Sequence, residues 1–161
     1  MVKGYSRTQI ALHWAVAVLI LFQLIFGEEM GAAWEAVEDG LAPNMTLTVW
    51  AHIIAGIAVL ALVVWRLALR LTRGVPAAPA GESAAVRMAG HLGHIGLYIL
   101  MLGAPITGLL AWYGGITDLA EVHELAKPAL IILIVVHFAA ALYHHFIVKD
   151  GLLNRMRKPL D

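Results

Sequence analysis

The sequence contains no cysteine in its 161 residues. Disulfides, thiolate zinc sites, iron–sulfur clusters and cysteine nucleophiles are therefore all excluded. Charged residues are also scarce, at 14% of the chain, and the basic and acidic residues balance at 11 each. Because the formal net charge is zero, the chain has no general attraction for nucleic acid, and we expect no nucleic-acid partner.

Apolar residues take the place of the missing charge. They make up 61% of the chain, against about 45–50% in soluble domains, and the mean hydropathy is +0.81. A soluble domain of this size has too much surface for its volume to bury so many apolar side chains. The composition therefore excludes an ordinary soluble globule and a disordered chain, and predicts a protein that lies in a lipid bilayer.

Four apolar stretches are long enough to cross a membrane, since a hydrocarbon core about 30 Å thick needs about 20 helical residues. Single strands cannot cross lipid with unpaired backbone groups, so each stretch is predicted to be a helix. The sequence thus predicts an all-α membrane protein with a single domain over residues 1–161, and we expect the first stretch to be retained rather than cleaved as a signal peptide. The predicted spans cover approximately residues 10–27, 47–71, 91–112 and 122–148.

The distribution of Lys and Arg predicts the orientation of these spans. Lys127 is the one basic residue that falls on the acidic side of the predicted bundle. All the others fall on the side of the chain termini, which predicts an up-down-up-down bundle with both termini in the cytoplasm. These residues are Lys3, Arg7, Arg66, Arg70, Arg73, Arg87, Lys149, Arg155, Arg157 and Lys158.

Eight histidines are unusual in so apolar a chain. Ionisable residues inside a membrane are costly, so they usually face the interior of the bundle and have a function. Imidazoles without thiols suit a proton relay, a metal ion, or haem iron held between two rings. A non-redox metal-binding or transport protein is therefore also open at this point.

The predicted topology places four of the histidines at two depths. His13 and His137 lie near the cytoplasmic side, whereas His52 and His123 lie near the outer side. His137 follows His123 by 14 residues, a rise of about 21 Å and nearly four full turns, so both lie on one face of their helix. Each pair can hold one flat macrocycle between two helices.

The other four histidines leave alternatives open. His94 is about as deep as His13, so spacing alone does not exclude it as the inner ligand. His144 lies on the same helix face as His137, where it can bond a haem propionate or a quinone carbonyl. We interpret His91 and His145 as interfacial residues.

Short motifs along nearly the whole chain carry a resemblance to a known family. They are Tyr5-Ser6-Arg7, Gln9-Ile10, His13-Trp14, His52 with Gly56, Arg66 through Arg70, His91-Leu92-Gly93-His94, His123-Glu124, His137, His144-His145, Lys149-Asp150 and Leu152-Leu153. In this combination the sequence resembles the prokaryotic cytochrome b561 family, and within it the superoxide oxidase branch.

The resemblance implies two haem b groups per chain, with His13, His52, His123 and His137 as the axial ligands of the iron. It also implies a multi-pass protein of the bacterial inner membrane that exchanges single electrons with ubiquinone and takes them from superoxide. The positions of Arg7, Arg66 and Arg70 at the cytoplasmic boundary suit contacts with haem propionates, as well as simple anchoring. No catalytic residue is assigned.

The charge of the outer side favours a second hypothesis. Eight carboxylates against Lys127 make this side acidic, and such a field repels an anion like superoxide. A periplasmic c-type cytochrome or a dehydrogenase that docks on this acidic side is the alternative electron partner.

Overall fold

The computed structural model describes residues 4–79 and 81–159, and every regular element in these ranges is helical. Four helices are long and apolar enough to cross a membrane, which confirms the predicted fold class. Lys3, which contributes to the predicted orientation, lies outside the described residues. The helices are α1 (Arg7–Ile25), α2 (Glu28–Glu38), α3 (Leu47–Arg73), α4 (Ala84–Trp112) and α5 (Asp118–Tyr143).

Hydroxyl side chains define where three of the long helices begin. The Ser6 hydroxyl accepts from the backbone N–H of Gln9, and the Gln9 side chain accepts from the backbone N–H of Ser6. This capping box starts α1 at Arg7, three residues before the predicted Ile10. Thr46 and Ser83 cap α3 and α4 in the same way through their hydroxyls. Because Ser83 provides this cap, α4 begins at Ala84 and not at the predicted His91.

Three further elements were not predicted. The link between α1 and α3 contains α2, an amphipathic helix whose Ala33 and Trp34 are buried. At the other end of the chain, α5 passes into a π-helical turn (His144–Val148) and then a 3₁₀ helix (Leu152–Met156). The Trp14 indole donates to the carbonyl oxygen of Met156 at 2.9 Å, so this last segment lies against the start of α1.

The bundle has two ends, which we name by their contents. The inner end carries the start of α1 and the 3₁₀ helix (Leu152–Met156), and it is the end predicted to be cytoplasmic. The outer end carries α2. Between them lies a cluster of buried apolar side chains from all four long helices. This central cluster fills the middle of the bundle and separates the polar residues of the two ends; it consists of Val16, Ile20, Val59, Val63, Met101 and Leu130.

Candidate functional site

Two imidazoles meet at the outer end of the bundle. His52 on α3 and His123 on α5 have ring centroids 6.1 Å apart with their planes at 81°. The backbones of α3 and α5 do not form one of the closely packed helix pairs, which are α1 with α3, α3 with α4 and α4 with α5. The two rings therefore reach across a gap between helices rather than lying in a tight helix–helix contact.

This gap is part of a cavity of about 540 Å³ lined by His52, His123, Gln23, Gly56 and Gly108. Its size falls within the range of about 300–1,000 Å³ that is typical of cofactor and ligand pockets. Most of the remaining lining is apolar and comes from all five helices. A flat apolar cofactor with a polar rim is the kind of ligand that such a cavity accommodates.

The ring of His123 has a fixed orientation. Its Nδ1–H donates to the carbonyl oxygen of Ala104 on α4 at 2.7 Å. Nδ1 must therefore carry the proton, and the lone pair of the neutral ring is on Nε2, the arrangement that metal-binding histidines commonly adopt. A Cβ atom added at Gly108 would lie 2.9 Å from Nδ1 of His123, so only glycine at this position leaves room for the ring.

His52 contributes a ring nitrogen that has no partner. Its Nδ1 atom is buried and accepts or donates no hydrogen bond within the described residues. A buried polar atom without a partner is costly unless water, an ion or a ligand satisfies it. The orphaned nitrogen next to the cavity is thus consistent with a site that holds a further group.

A second group of imidazoles lies at the inner end. His13 on α1 and His137 on α5 have ring centroids 6.3 Å apart, and α1 and α5 are likewise not one of the closely packed helix pairs. His94 on α4 lies nearer to His137, with a centroid distance of 5.3 Å and planes at 79°. The structure therefore brings together the predicted inner pair and also the open alternative, His94.

The ring-centroid distances of these two partners of His137 differ by 1.0 Å. An imidazole nitrogen binds a metal at about 2 Å, so two rings that face each other across one ion have centroids about 6 Å apart. The distances within the His13–His137 and His52–His123 pairs match this value, whereas the His94–His137 distance is too short for an ion between the rings.

Cations surround the inner imidazoles. Arg66 donates from Nη1 to Nδ1 of His13 at 3.1 Å, and Arg70 lines a groove beside His94. Neither guanidinium has a carboxylate partner within residues 4–79 and 81–159. Two such cations suit the propionates of a macrocycle. With Arg66 donating to Nδ1 of His13, the proton of the neutral ring is on Nε2. Nε2 becomes a metal ligand only when the proton moves to Nδ1 and Arg66 turns to another acceptor.

The residues present fit haem better than a bare metal ion. In the described part of the chain, no group of three or more His, Asp or Glu side chains could hold a metal ion. Haem needs only two axial protein ligands because the macrocycle supplies the other four nitrogens. Two facing imidazoles at each end of the bundle meet this requirement.

The whole described chain matches one family model, that of prokaryotic cytochrome b561, over residues 4–159. The chain belongs to the prokaryotic cytochrome b561 family. Cytochrome b562 of Cereibacter sphaeroides is 40% identical over 158 residues, covering 97% of this chain and 96% of that protein. The probable superoxide oxidase CybB of Yersinia pestis is 30% identical, and the match covers 97% of this chain and 97% of that protein. Cytochrome b561 homolog 1 of Escherichia coli is also 30% identical, and the match covers 94% of this chain and 96% of that protein.

Membership of this family confirms the resemblance inferred from the motifs. The chain is a membrane electron-transfer protein of the bacterial inner membrane, and the family implies that it binds haem b. A relative named cytochrome b562 and one named probable superoxide oxidase both match it over nearly their full lengths.

His144, a further candidate for a propionate or quinone contact, has other partners in the structure. It is buried, its Nδ1 lies 2.5 Å from Oδ2 of Asp150, and its Nε2 lies 3.9 Å from Oε1 of Glu82. Both ring nitrogens therefore face carboxylates. Arg7, the last of the predicted contacts, is exposed at the first turn of α1.

The sequence interpretation missed two residues of the outer site. Gln23 donates from Nε2 to the carbonyl oxygen of His52 at 2.9 Å, and its Oε1 is buried without a partner in the described residues. Lys127 lines the same cavity one helical turn beyond His123. Each has a signal in the sequence: Gln23 is a polar residue within an apolar span, and Lys127 is the basic residue that departs from the charge asymmetry.

Proposed function

We propose that this chain is a di-haem cytochrome b that transfers single electrons across the bilayer between a donor at the outer end and ubiquinone, with superoxide as the donor. The observation that carries the proposal is the pair of facing imidazoles at each end of the bundle. His52 and His123 would hold one haem b, and His13 and His137 the other. The separation of His123 from His137 along α5 is about 21 Å, so the two groups would lie at opposite boundaries of the membrane.

The iron of a bound haem b takes up and releases one electron at a time. The chain's own residues supply the surroundings of this chemistry. Two imidazoles would hold each haem, one on either side of the iron, and would leave no open site there for dioxygen or peroxide. The central apolar cluster keeps water out of the bundle between the two ends.

Ligand contacts at the inner end follow from its charges. We propose that Arg66 and Arg70 bind the propionates of the inner haem, with Arg7 at the membrane boundary as a third cation. His144 remains a candidate for a propionate or quinone contact, provided that it exchanges one of its carboxylate partners. Guanidinium–carboxylate pairs are strong because two parallel hydrogen bonds form in a fixed geometry.

The proposed reaction balances with two superoxide anions for each quinone. Each anion loses one electron at the outer end and leaves as dioxygen. The quinone receives the two electrons that the two anions have lost. It also takes up two protons from water at the cytoplasmic boundary and becomes the quinol. The 30% identity to a probable superoxide oxidase over 97% of the chain supports this donor. Lys127 places a cation in the wall of the outer cavity, alongside the carboxylates of Glu28 and Glu124.

The acidic outer end supports a second candidate, in which a basic periplasmic electron carrier such as a c-type cytochrome, or a dehydrogenase, is the partner. Eight carboxylates of this end are exposed to solvent, and their field attracts a basic protein and repels an anion. They are Glu28, Glu29, Glu35, Glu38, Asp39, Asp118, Glu121 and Glu124.

The two candidates are separated by rapid-mixing experiments on the purified chain. A pyridine-haemochrome assay first gives the number of haem groups per chain, which we expect to be two. Superoxide is then expected to reduce the haem, and a soluble ubiquinone analogue to reoxidise it. If superoxide produces no spectral change while a basic c-type cytochrome exchanges electrons at a rate that falls steeply with salt, the second candidate replaces the first.

A further inference from the structure

Two buried polar atoms without a hydrogen-bond partner belong to neighbouring side chains at the outer end. They are Oε1 of Gln23 and Nδ1 of His52, and across residues 4–79 and 81–159 no other buried side-chain nitrogen or oxygen lacks a partner. Buried polar groups are nearly always paired, so an unpaired one calls for an explanation. Because both exceptions fall beside the same candidate haem ligand, one explanation can serve for both.

The side chain of Gln23 crosses from α1 to the backbone of α3 at this place. Its Nε2 donates to the carbonyl oxygen of His52 at 2.9 Å, which brings the amide group to the residue that carries the unpaired Nδ1. Two glycines border the arrangement: a Cβ atom at Gly56 would lie 3.3 Å from Nε2 of Gln23, and one at Gly27 would lie 4.0 Å from Nδ1 of His52. The amide and the imidazole therefore share one small pocket in the wall of the outer cavity.

The two outer imidazoles differ in what holds them. The Nδ1–H of His123 donates to the carbonyl oxygen of Ala104, whereas the ring of His52 has no such acceptor at its Nδ1. A histidine that binds a metal usually donates its second N–H to a carbonyl, a carboxylate or a water, which fixes the tautomer and the orientation of the ring. His52 thus lacks the support that its partner ring already has.

The unpaired oxygen of Gln23 has the chemistry that His52 needs. An amide oxygen only accepts hydrogen bonds and a protonated Nδ1 only donates them, so the two atoms are complementary. They do not bond to each other directly. One water that accepts from Nδ1–H and donates to Oε1 would satisfy both atoms, and such a bridge is nearly as favourable as a direct hydrogen bond.

We propose that Gln23 is a positioning residue for His52, holding its Nδ1–H through one bridging water so that the lone pair of the neutral ring is on Nε2. This inference rests on the proposed function, in which His52 is an axial ligand, and it adds the group that orients this ligand. Hydrogen bonding at Nδ1 makes an imidazole a stronger electron donor to its metal. Gln23 therefore favours the oxidised state of the outer site and lowers its reduction potential.

Gln23→Leu in the haem-loaded chain tests this role, since leucine is apolar and similar in size but cannot accept. We expect an about tenfold rise in the equilibrium constant for reduction of the outer site, which is about 59 mV for one electron, with the number of haem groups unchanged. The outer potential is recognised as the one that disappears in His52→Ala. Gln9→Leu is the matched control and should leave this potential unchanged, because Gln9 is a buried glutamine of the same helix whose Nε2 donates to the carbonyl oxygen of Gly74 at the inner end.

A spectroscopic measurement separates positioning from a simple tie between α1 and α3. Gln23→Leu and Gln23→Glu both lose the amide donor to the His52 carbonyl, but glutamate keeps an acceptor oxygen. Electron–nuclear double resonance of the oxidised chain in D₂O measures the quadrupole coupling of each Nδ1 deuteron, which is larger when its hydrogen bond is weaker. We expect one weakly bonded deuteron to appear in Gln23→Leu and not in Gln23→Glu.

The positioning role is overturned if the two variants give the same deuteron couplings, or if Gln23→Leu keeps the wild-type potential. Should Gln23→Leu lose the outer haem altogether, retention of this haem in Gln23→Glu supports the role, and its loss in both variants overturns it. Failure of the proposed function is a different result: the wild-type chain would bind no haem at the outer end, and His52→Ala would leave the haem content unchanged.

Discussion

The Nδ1 atom of His123 lies 2.7 Å from the carbonyl oxygen of Ala104, and this contact joins α5 to α4 at the outer end of the bundle. The hydrogen bond requires a close approach of the two helices, which Gly108 permits by having no side chain. Ala104 and Gly108 are one turn apart on α4, so one helix face supplies both the acceptor for the ring and the space that the ring occupies.

We expect Gly108→Ala to impair the outer site without unfolding the bundle. The added Cβ atom would lie 2.9 Å from Nδ1 and 3.0 Å from Cε1 of His123, so the ring has to move away from Ala104. The expected result is the loss or weakening of one of two haem groups in a pyridine-haemochrome assay. Gly103→Ala on the same helix is the matched control, because a Cβ atom there meets nothing within 4 Å. Equal haem content in the two variants would contradict the importance of this contact.

Substitution of single histidines assigns the two proposed sites. His52→Ala or His123→Ala should remove one haem group and leave the other, and His13→Ala or His137→Ala should remove the complementary one. The reason is that each iron would lose an axial ligand in only one pair. Low-temperature absorption spectra and reduction potentials of each variant distinguish which group is left. If His94→Ala abolishes a haem group while His13→Ala does not, then His94 and not His13 is the inner ligand.

Much of this architecture could be predicted from the sequence because lipid imposes simple rules. The lengths of the apolar stretches and the need to pair every backbone group fix four helices. The depth of His52, His123, His13 and His137 follows from the topology alone. The structure brings each of these pairs to within 6.1 to 6.3 Å between ring centroids.

The details that could not be predicted depend on contacts between distant parts of the chain. The hydrogen bond from Gln23 to the His52 carbonyl joins residues 29 positions apart, and no local pattern indicates it. The helix α2 escaped prediction because it is too short and too polar to cross a membrane. The partners of His144 were also missed, since Glu82 and Asp150 reach it from two separate segments of the inner end.

Asp150 makes the inner end sensitive to acid. Its Oδ1 accepts from the Leu152 amide at 2.9 Å and its Oδ2 contacts Nδ1 of His144. Burial opposes ionisation of Asp150, but the Leu152 amide and His144 outweigh it and hold the pKa of this carboxyl below its ordinary value of 3.8. Since the folded-state pKa is lowered, the ionised form stabilises the fold above the ordinary pKa, and this contribution is lost as the pH falls below 3.8 through the folded-state pKa.

Hydrogen exchange of residues 152–156 in detergent, followed from pH 6 to pH 3, measures this loss. We expect protection of this segment to fall in the wild type at the acidic end of the range. Asp150→Asn should show weak protection throughout with little pH dependence, whereas Asp118→Asn, at the exposed start of α5, should behave like the wild type. A wild-type profile for Asp150→Asn would refute a role for the ionised carboxylate.

Lys127 provides a test that separates the two candidate electron donors. It is the cation in the wall of the outer cavity, and it has no hydrogen bond or ion pair within the described residues. Its side chain starts one turn beyond His123 and, like all helical side chains, leans towards the N-terminus of its helix and hence towards the outer surface. An anion that approaches this cavity would be attracted by this ammonium group and repelled by the carboxylates of Glu28 and Glu124, which line the same cavity.

We therefore expect Lys127→Gln to slow the reduction of the haem by superoxide several-fold at low salt, with the effect shrinking as salt screens the charge. The same substitution should leave unchanged, or increase, the rate with a basic c-type cytochrome. Glu121→Gln removes one exposed carboxylate from the same helix. It is expected to raise the rate with superoxide and to lower the rate with a basic c-type cytochrome. The measurement is the second-order rate constant of haem reduction by each donor. If Lys127→Gln and Glu121→Gln react with superoxide at the wild-type rate, electrostatic attraction at this cavity does not bring the anion to the chain.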